Sequence, residues 1–247
     1  MKKEILIIVA ACVFMVASCE TNSNKSQSAK KKFSKENIIE KKSINEKLPS
    51  EKIDLGVLKN KTYKNDFFGF EITAPANWFA LTDGFNLKTQ DEIKEYLAGS
   101  DQEMKKLVDR DLVTNLNFVT FYKNNPNEYL GFNPNIIVGA RNLKDEPYIK
   151  TIQDDLKQTI SFLKQSNINE SGIEIISLND EFREYYFGKK KFYVLDASFN
   201  FKGTIINQEV FSTIHDGFSF SMILSYDEDL SKKELYNILN SVVYDEK

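Results

Sequence analysis

The stretch from residue 172 to residue 226 constrains the fold most, because it offers strand-like segments in succession and no helical periodicity. These segments are rich in β-branched and aromatic residues, and they read GIEIISL, REYYFG, KKFYVLDASFNF, TIINQEVFSTI and FSFSMILSY. Turn signals separate the last four, at residues 188–190, 202–203 and, most strongly, 215–217. Strands joined by such short turns pair antiparallel, so we predict a meander of four or five strands.

Helical patterns surround this meander. Residues 145–165 predict the clearest helix, with Pro147 in its first turn. Its apolar stripe comprises Tyr148, Ile152, Leu156, Ile160 and Leu163. The capping-box pattern Ser231-x-x-Glu234 predicts a final helix, and residues 89–112 predict two short ones. Grouped strands with helices at intervals indicate an α+β fold. We expect an α/β/α sandwich, in which helices flank a central antiparallel sheet.

The amino terminus predicts a lipid anchor. Ile5–Val16 is an apolar run that is shorter than the roughly 20 residues of a membrane-spanning helix, and it suits a secretory signal. The end of this run, Val16-Ala17-Ser18-Cys19, resembles the bacterial lipobox. This resemblance implies that residues 1–18 are removed and that Cys19 receives lipid, whereas an ordinary signal peptide with an incidental cysteine is the alternative. Since the only other cysteine is Cys12, the mature chain would contain no disulfide.

Composition divides the remaining chain into two parts. Residues 19–52 lack hydrophobic periodicity and carry nine Lys against five Glu, which predicts a disordered tether. Such a segment suits anionic headgroups, and a solvated spacer is the simpler interpretation. Residues 53–247 have the size of one domain and carry 22 basic against 30 acidic residues, a net charge of −8, which argues against nucleic acid as a partner. We expect an extracytoplasmic location in a bacterial envelope, and Glu20 favours the outer over the inner membrane in a Gram-negative cell.

Two segments of the domain resemble PsbP-type domains. The sequence YKNDFFGFEITAPANWF contains Tyr63, a strand and then Pro75-x-x-Trp78, and it looks like the opening of such domains. The final strand and helix, SFSMILSYDEDLSKKELYNILNSVVY, are similar to their carboxyl-terminal elements. The resemblance covers residues 54–247 in element order and implies an α/β/α sandwich around an antiparallel sheet. The founding members of that family are non-catalytic and bind proteins, and no metal or docking residue of theirs can be matched here.

Catalytic and metal-binding patterns are sparse. His215 is the only histidine, so neither a catalytic triad nor a multi-histidine metal site is complete, and we expect it to lie at a turn. Residues 227–229 are three consecutive acids before a helix, where capping is a better interpretation than Ca²⁺ or Mg²⁺ binding. We therefore predict no cofactor, no metal and no enzymatic activity.

The helix and strand patterns also predict where other acidic and aromatic side chains lie. Asp154 and Asp155 are expected on the solvated side of a helix, and Glu71 and Glu209 on outward strand faces. Trp78 is expected in the core. The polar loop NNPNEYLGFNP holds a possible contact group of apolar side chains, which consists of Tyr129, Leu130 and Phe132. These side chains either form a contact surface or fold back onto the sheet.

Three functional hypotheses follow. The leading one is a non-catalytic, lipid-anchored envelope protein that binds or helps to assemble another envelope protein. An alternative is a lipoprotein that binds a small ligand in a pocket between sheet and helices, which a deep pocket with convergent polar groups would favour. A carboxylate enzyme would instead require two close acids with shifted pKa values in a cleft.

Overall fold

The computed structural model describes residues 55–82, 115–126, 128–129, 131–144, 146–165 and 173–244. The strands in these ranges are β1 (Val57–Lys59), β2 (Thr62–Asn65), β3 (Phe70–Thr73), β4 (Phe79–Leu81), β5 (Asn115–Tyr122), β6 (Asn135–Asn142), β7 (Ile173–Leu178), β8 (Arg183–Phe187), β9 (Lys190–Phe201), β10 (Thr204–His215), β11 (Phe218–Tyr226) and β12 (Val243–Tyr244). The helices are α1 (Ile152–Gln165) and α2 (Asp229–Leu239). Cys19, the tether and the helices predicted for residues 89–112 lie outside the described residues.

The strands form one large and one small antiparallel sheet. The large sheet has the order β4-β5-β6-β11-β10-β9, and both β7 and β8 pair with the outer side of β9. The small sheet has the order β1-β2-β3-β12. The turns at residues 202–203 and 216–217 each have two residues with positive φ, which is the geometry of a tight hairpin turn. The predicted meander is therefore confirmed, from β8 to β11.

One face of the large sheet packs against α1. Because side chains alternate along a strand, every second residue of β6, β9, β10 and β11 points to this helix. The buried cluster between them comprises Ile137, Ile152, Leu156, Ile160, Leu195, Val210 and Ile223. A smaller cluster continues it around Leu163 and Phe199, towards the end of α1.

The opposite face packs against both α2 and the small sheet. Leu235 and Ile238 of α2 share one buried cluster with Phe220 and Met222 of β11. The small sheet contributes its own inward residues to this cluster, among them Tyr63, Phe70 and Ile72. Trp78 is 3% exposed and belongs to the same cluster, as predicted. The chain is thus an α+β protein dominated by antiparallel sheet, and the predicted sandwich is confirmed in part, since a second sheet shares one face with α2.

The start of α1 differs from the prediction. Thr151 and Asp154 form a reciprocal capping box, in which the Asp154 amide donates to Thr151 Oγ1 at 3.2 Å and the Thr151 amide donates to Asp154 Oδ2 at 2.8 Å. The helix therefore begins at Ile152 rather than near residue 145. Tyr148 precedes it and is 54% exposed, so its assignment to the apolar stripe was wrong.

The start of α2 also differs. The helix begins at Asp229 with Glu228 at its N-cap position, but Glu228 makes no side-chain capping hydrogen bond. The expected capping by these acids is therefore met only in position, at the helix end where the dipole favours negative charge. Ser231 lies inside the first turn, is buried, and donates its hydroxyl to Glu228 Oε1 at 3.3 Å. The predicted Ser231–Glu234 capping box was therefore wrong. Among the residues described, neither helix is long and apolar enough to cross a bilayer.

Candidate contact surface and buried charge clusters

The predicted contact loop divides its aromatic residues between core and surface. Phe132 is partly buried against the clusters beneath α1, whereas Tyr129 is 45% exposed. The base of the loop is closed by the Asn133 side chain, whose Oδ1 accepts from the Asn124 amide at 2.9 Å and whose Nδ2 donates to the Asn124 carbonyl at 2.9 Å. Leu130 lies outside the described residues. Of the two residues of this group that the structure describes, Tyr129 keeps the character of a contact residue, and its role as one stays a prediction.

A second aromatic surface lies on the β8–β9 hairpin. Glu184 pairs with Tyr193 and Tyr186 with Lys191, so the four side chains occupy one face of the hairpin. We call these four residues the β8–β9 surface. Tyr193 reaches the cluster beneath α1, whereas Tyr186 is 52% exposed. This corner of the face is therefore left open beside the helix.

The polar groups of the β8–β9 surface hold its rings in place. Glu184 Oε1 accepts from Lys191 Nζ at 2.8 Å and from the Tyr193 hydroxyl at 3.2 Å, and Glu184 Oε2 accepts from the Tyr186 hydroxyl at 2.8 Å. Lys191 Nζ lies 5.9 Å from the Tyr186 ring centre and 5.5 Å from that of Tyr193. The hydrogen bond from Lys191, followed by that from Tyr186, lowers the pKa of Glu184. Two tyrosine rings thus share one ionised carboxylate on this surface.

Glu209 is the centre of a buried charge cluster under α2. The sequence interpretation placed it on an outward face, which was wrong, because it is 1% exposed. Its Oε1 accepts from the Tyr226 hydroxyl at 2.8 Å and from Lys232 Nζ at 2.8 Å. Its Oε2 accepts from Arg183 Nη2 and from the Tyr236 hydroxyl. All four acceptor positions of the carboxylate are therefore used.

The chemistry of this cluster favours a fixed charge state. Burial acts to raise the pKa of Glu209, but the hydrogen bonds from Lys232, Tyr236 and Tyr226 outweigh it, and the pKa lies below its ordinary value. Burial raises the pKa of Tyr226 and of Tyr236 to about 12, and Glu209 adds to both shifts. The carboxylate is thus ionised and both phenols are protonated at neutral pH, so none of the three groups exchanges protons there.

Arg141 is the centre of a second buried cluster, at the start of α1. Its guanidinium donates to Glu146 through Nη1 and to Asp155 through Nη2. The Ser219 hydroxyl donates to the other oxygen of Asp155. Asp155 is 1% exposed, so its predicted place on a solvated helix side was wrong. Asp154 and Asp155 are consecutive on the helix, so their side chains point in different directions. Asp154 caps the helix, while Asp155 faces the sheet.

The two clusters attach the helices to opposite faces of the sheet. Lys232 and Tyr236 are on α2 and reach Glu209 of β10. Asp155 is on α1 and reaches Arg141 of β6 and Ser219 of β11. Each cluster joins oppositely charged groups from different elements, which is the arrangement of a structural ion pair rather than of a reactive acid–base pair.

His215 lies at the end of β10, immediately before the turn, as expected. Its ring centre is 5.5 Å from that of Phe67 and 5.3 Å from that of Phe68, and its Nδ1 is 3.5 Å from the Tyr244 hydroxyl. These contacts place it in the aromatic packing between the two sheets. Within the described ranges, no three His, Cys, Asp or Glu residues form a group that could hold a metal ion.

Comparison with known proteins gives distant structural matches. No family model and no curated protein matches the sequence. The chain is similar to cyanobacterial PsbP (CyanoP) from Synechocystis, at 16% identity and a TM-score of 0.42, over 76% of this chain and 96% of that one. It is also similar to LpqN of Mycobacterium tuberculosis, which is involved in cell envelope biogenesis, at 13% identity and a TM-score of 0.36, over 70% and 82% of the two chains.

A third match is a crystal structure from Bacteroides thetaiotaomicron, at 14% identity and a TM-score of 0.38. It covers 72% of this chain and 46% of that one, so this chain spans less than half the length of the Bacteroides protein.

Proposed function

We propose that this protein is a non-catalytic lipoprotein of the bacterial cell envelope, PsbP-like in fold, that binds another envelope protein. The β8–β9 surface is the observation that carries the binding part of this proposal. Tyrosine rings supply large contact area and lose little conformational entropy on binding, and they are enriched among residues that dominate interfaces. The hydrogen bonds to Glu184 reduce this entropy further, because they order both rings in the unbound protein.

The buried clusters support the non-catalytic part. An acid or base must be able to exchange a proton near the working pH. Glu209 has all its acceptor positions occupied and a lowered pKa, and its tyrosine partners have pKa values of about 12. These groups therefore suit attachment of α2 better than catalysis.

The proposed anchor depends on Cys19. We expect Cys19→Ala to move the protein from the membrane fraction to the soluble fraction, because several acyl chains hold a protein on a bilayer and a tether alone does not. The measurement is cell fractionation together with incorporation of labelled palmitate. If the wild-type protein incorporates no palmitate, and the wild type and Cys19→Ala are found in the same fraction, then Cys19 is not an acyl acceptor.

The proposed contact is tested with a photo-crosslinking amino acid placed at position 186. Position 148 is the matched control, because Tyr148 is a tyrosine of nearly equal exposure, at 54% against 52%. We expect a discrete protein adduct in intact membranes from position 186 and none from position 148. Position 129 tests the predicted loop in the same experiment.

The unlabelled variant Tyr186→Ala should lower recovery of the same partner about tenfold, which is the effect of truncating a residue central to an interface. Tyr148→Ala should leave recovery unchanged. Equal adducts from positions 186 and 148, or none from 186, would contradict the proposed surface while leaving the anchor test unaffected. Loss of the adduct in the Cys19→Ala variant would show that binding requires the membrane location.

A further inference from the structure

The place where the chain enters the described structure carries exposed apolar and basic side chains together. Leu55 is 57% exposed and Val57 is 67% exposed, at the start of β1. Phe79 and Leu81, at 38% and 44%, lie on one side of β4, since residues two apart share a strand face. We call the strip made by Leu55, Val57, Lys59, Lys61, Phe79 and Leu81 the β1–β4 strip.

Contacts of Lys61 link the β1 part of the strip to its β4 part. Its Nζ lies 5.7 Å from the centre of the Phe79 ring, and its carbonyl accepts from the Ala74 amide at 3.0 Å. The β1–β2 turn is therefore held beside β4, although β1 and β4 belong to different sheets. Val57 and Lys59 share the exposed face of β1, so apolar and basic side chains alternate along one surface.

The charges around the strip are arranged unevenly. The nearby acids, Asp66 and Glu71, lie beside Lys64, which pairs with Asp66 at 3.1 Å and neighbours Glu71 in the small sheet. Lys64 is directly opposite Val57, so these acids neighbour that end of the strip, whereas Lys59 lies next to the β1–β2 turn and Lys61 lies against Phe79. Three lysines against two acids leave this end of the domain with a small excess of positive charge, whereas residues 53–247 as a whole carry 22 basic against 30 acidic residues. An anionic surface would attract this end of the domain and repel the remainder.

We propose that the β1–β4 strip is a docking face for the anionic surface of a lipid bilayer and orients the domain on the membrane. Exposed aliphatic and aromatic side chains next to lysines are the combination that binds the headgroup region. The inference rests on the proposed anchor at Cys19, which is 36 residues before Leu55. A predicted tether of that length, roughly 30 Å in root-mean-square extension, would keep the strip close to the bilayer.

Vesicle binding without the anchor tests this inference separately from the proposed function. The protein is the mature chain from residue 19 with Cys19→Ala, so that no acyl chain contributes. The probe is vesicles of phosphatidylcholine with phosphatidylglycerol, compared with phosphatidylcholine alone. We expect salt-sensitive binding to the anionic vesicles, and the pair Lys59→Glu and Lys61→Glu should weaken it by about tenfold or more.

The matched control is the pair Lys189→Glu and Lys202→Glu. Both lysines are exposed and lie at the turns before and after β9, and this pair changes the net charge equally. We expect it to reduce binding much less than the strip variant. Equal losses from the two pairs would overturn the proposal, because binding would then follow net charge alone. Absence of wild-type binding to anionic vesicles would overturn it as well.

A second readout uses Trp78, which is the only tryptophan and is adjacent to Phe79. Bromine-labelled acyl chains quench a tryptophan that lies close to the bilayer, so we expect partial quenching in the bound wild type. The pair Val57→Ser and Phe79→Ser should abolish this quenching, while Ile205→Ser, at an exposed isoleucine of β10, should not. Thermal melts of all variants show whether each is folded. Unchanged quenching in a folded Val57→Ser and Phe79→Ser protein would contradict insertion of the strip.

Discussion

Arg141→Met is expected to lower the free energy of unfolding by about 3–5 kcal/mol, because it removes the guanidinium that contacts two buried carboxylates. Asp155 is 1% exposed and Glu146 is 6% exposed, so water reaches neither group readily. Methionine keeps most of the volume and removes the guanidinium hydrogen bonds to both acids, while the Ser219 hydroxyl still donates to Asp155 and the Tyr148 hydroxyl to Glu146. The measurement is urea unfolding at pH 7, followed by Trp78 fluorescence and by circular dichroism.

Arg183→Met is the matched control for this prediction. Arg183 also contacts two carboxylates, with hydrogen bonds of 2.9 Å to each oxygen of Asp196 and a further bond to Glu209. It is 40% exposed in its side chain, however, so water can replace much of what the substitution removes. We expect a loss of about 1 kcal/mol. A similar loss of unfolding free energy in Arg141→Met and Arg183→Met would show that burial of the Arg141 cluster does not increase the cost of losing the arginine.

A combined substitution separates the buried charges from the packing. Arg141→Met together with Asp155→Leu and Glu146→Leu removes the charges of these three residues. Such apolar replacement of buried ion pairs is often neutral or stabilising, so we expect this protein to recover most of the stability that Arg141→Met loses. A triple variant less stable than the single one would instead assign the effect to the loss of specific hydrogen bonds, including that from Ser219.

Strand pairing was predictable because the relevant signals are local. The turns at residues 202–203 and 216–217 and the alternation along β9, β10 and β11 are all visible in the sequence. The same register predicts that residues 184 and 186 face residues 193 and 191 across the hairpin. The β8–β9 surface could therefore have been found by counting outward from the turn at Gly188.

The charge clusters were not predictable, because their partners are distant in sequence. Glu209 and Tyr236 are 27 residues apart, and Asp155 and Ser219 are 64 residues apart. An acid in the middle of a strand is usually solvated, and only the position of α2 shows that this one is covered. The start of α1 was missed for a different reason, since a local capping box between Thr151 and Asp154, rather than Pro147, marks where this helix begins.

Glu209→Gln is expected to lower the free energy of unfolding by about 2–3 kcal/mol at pH 7. The amide side chain has one acceptor oxygen and a nitrogen that donates, so it faces the donors of Arg183, Lys232, Tyr226 and Tyr236 with half of its hydrogen-bonding positions reversed. We expect less than the loss for Arg141→Met, because Arg183 and Lys232 are about 40% exposed in their side chains and regain water.

The effect of Glu209 should depend on pH with a definite sign. Its pKa is lowered in the folded protein, so its contribution is complete above the ordinary carboxyl value of 4.5 and is lost as the pH falls below that value and through the lower pKa of the folded protein. The difference in stability between the wild type and Glu209→Gln should therefore be constant near pH 7 and shrink below about pH 4. Glu184→Gln, which removes an exposed carboxylate with similar donors, should show little difference at any pH.

At alkaline pH the same cluster predicts the opposite dependence. The pKa values of Tyr226 and Tyr236 are raised from 10.0 to about 12 by burial and by Glu209. Their contribution is complete below pH 10 and is lost as the pH rises through 12. In Glu209→Gln the burial remains but the carboxylate is absent, so tyrosinate absorbance should show these two phenols ionising at lower pH than in the wild type. Identical titrations of the two proteins would mean that Glu209 does not hold the phenols protonated.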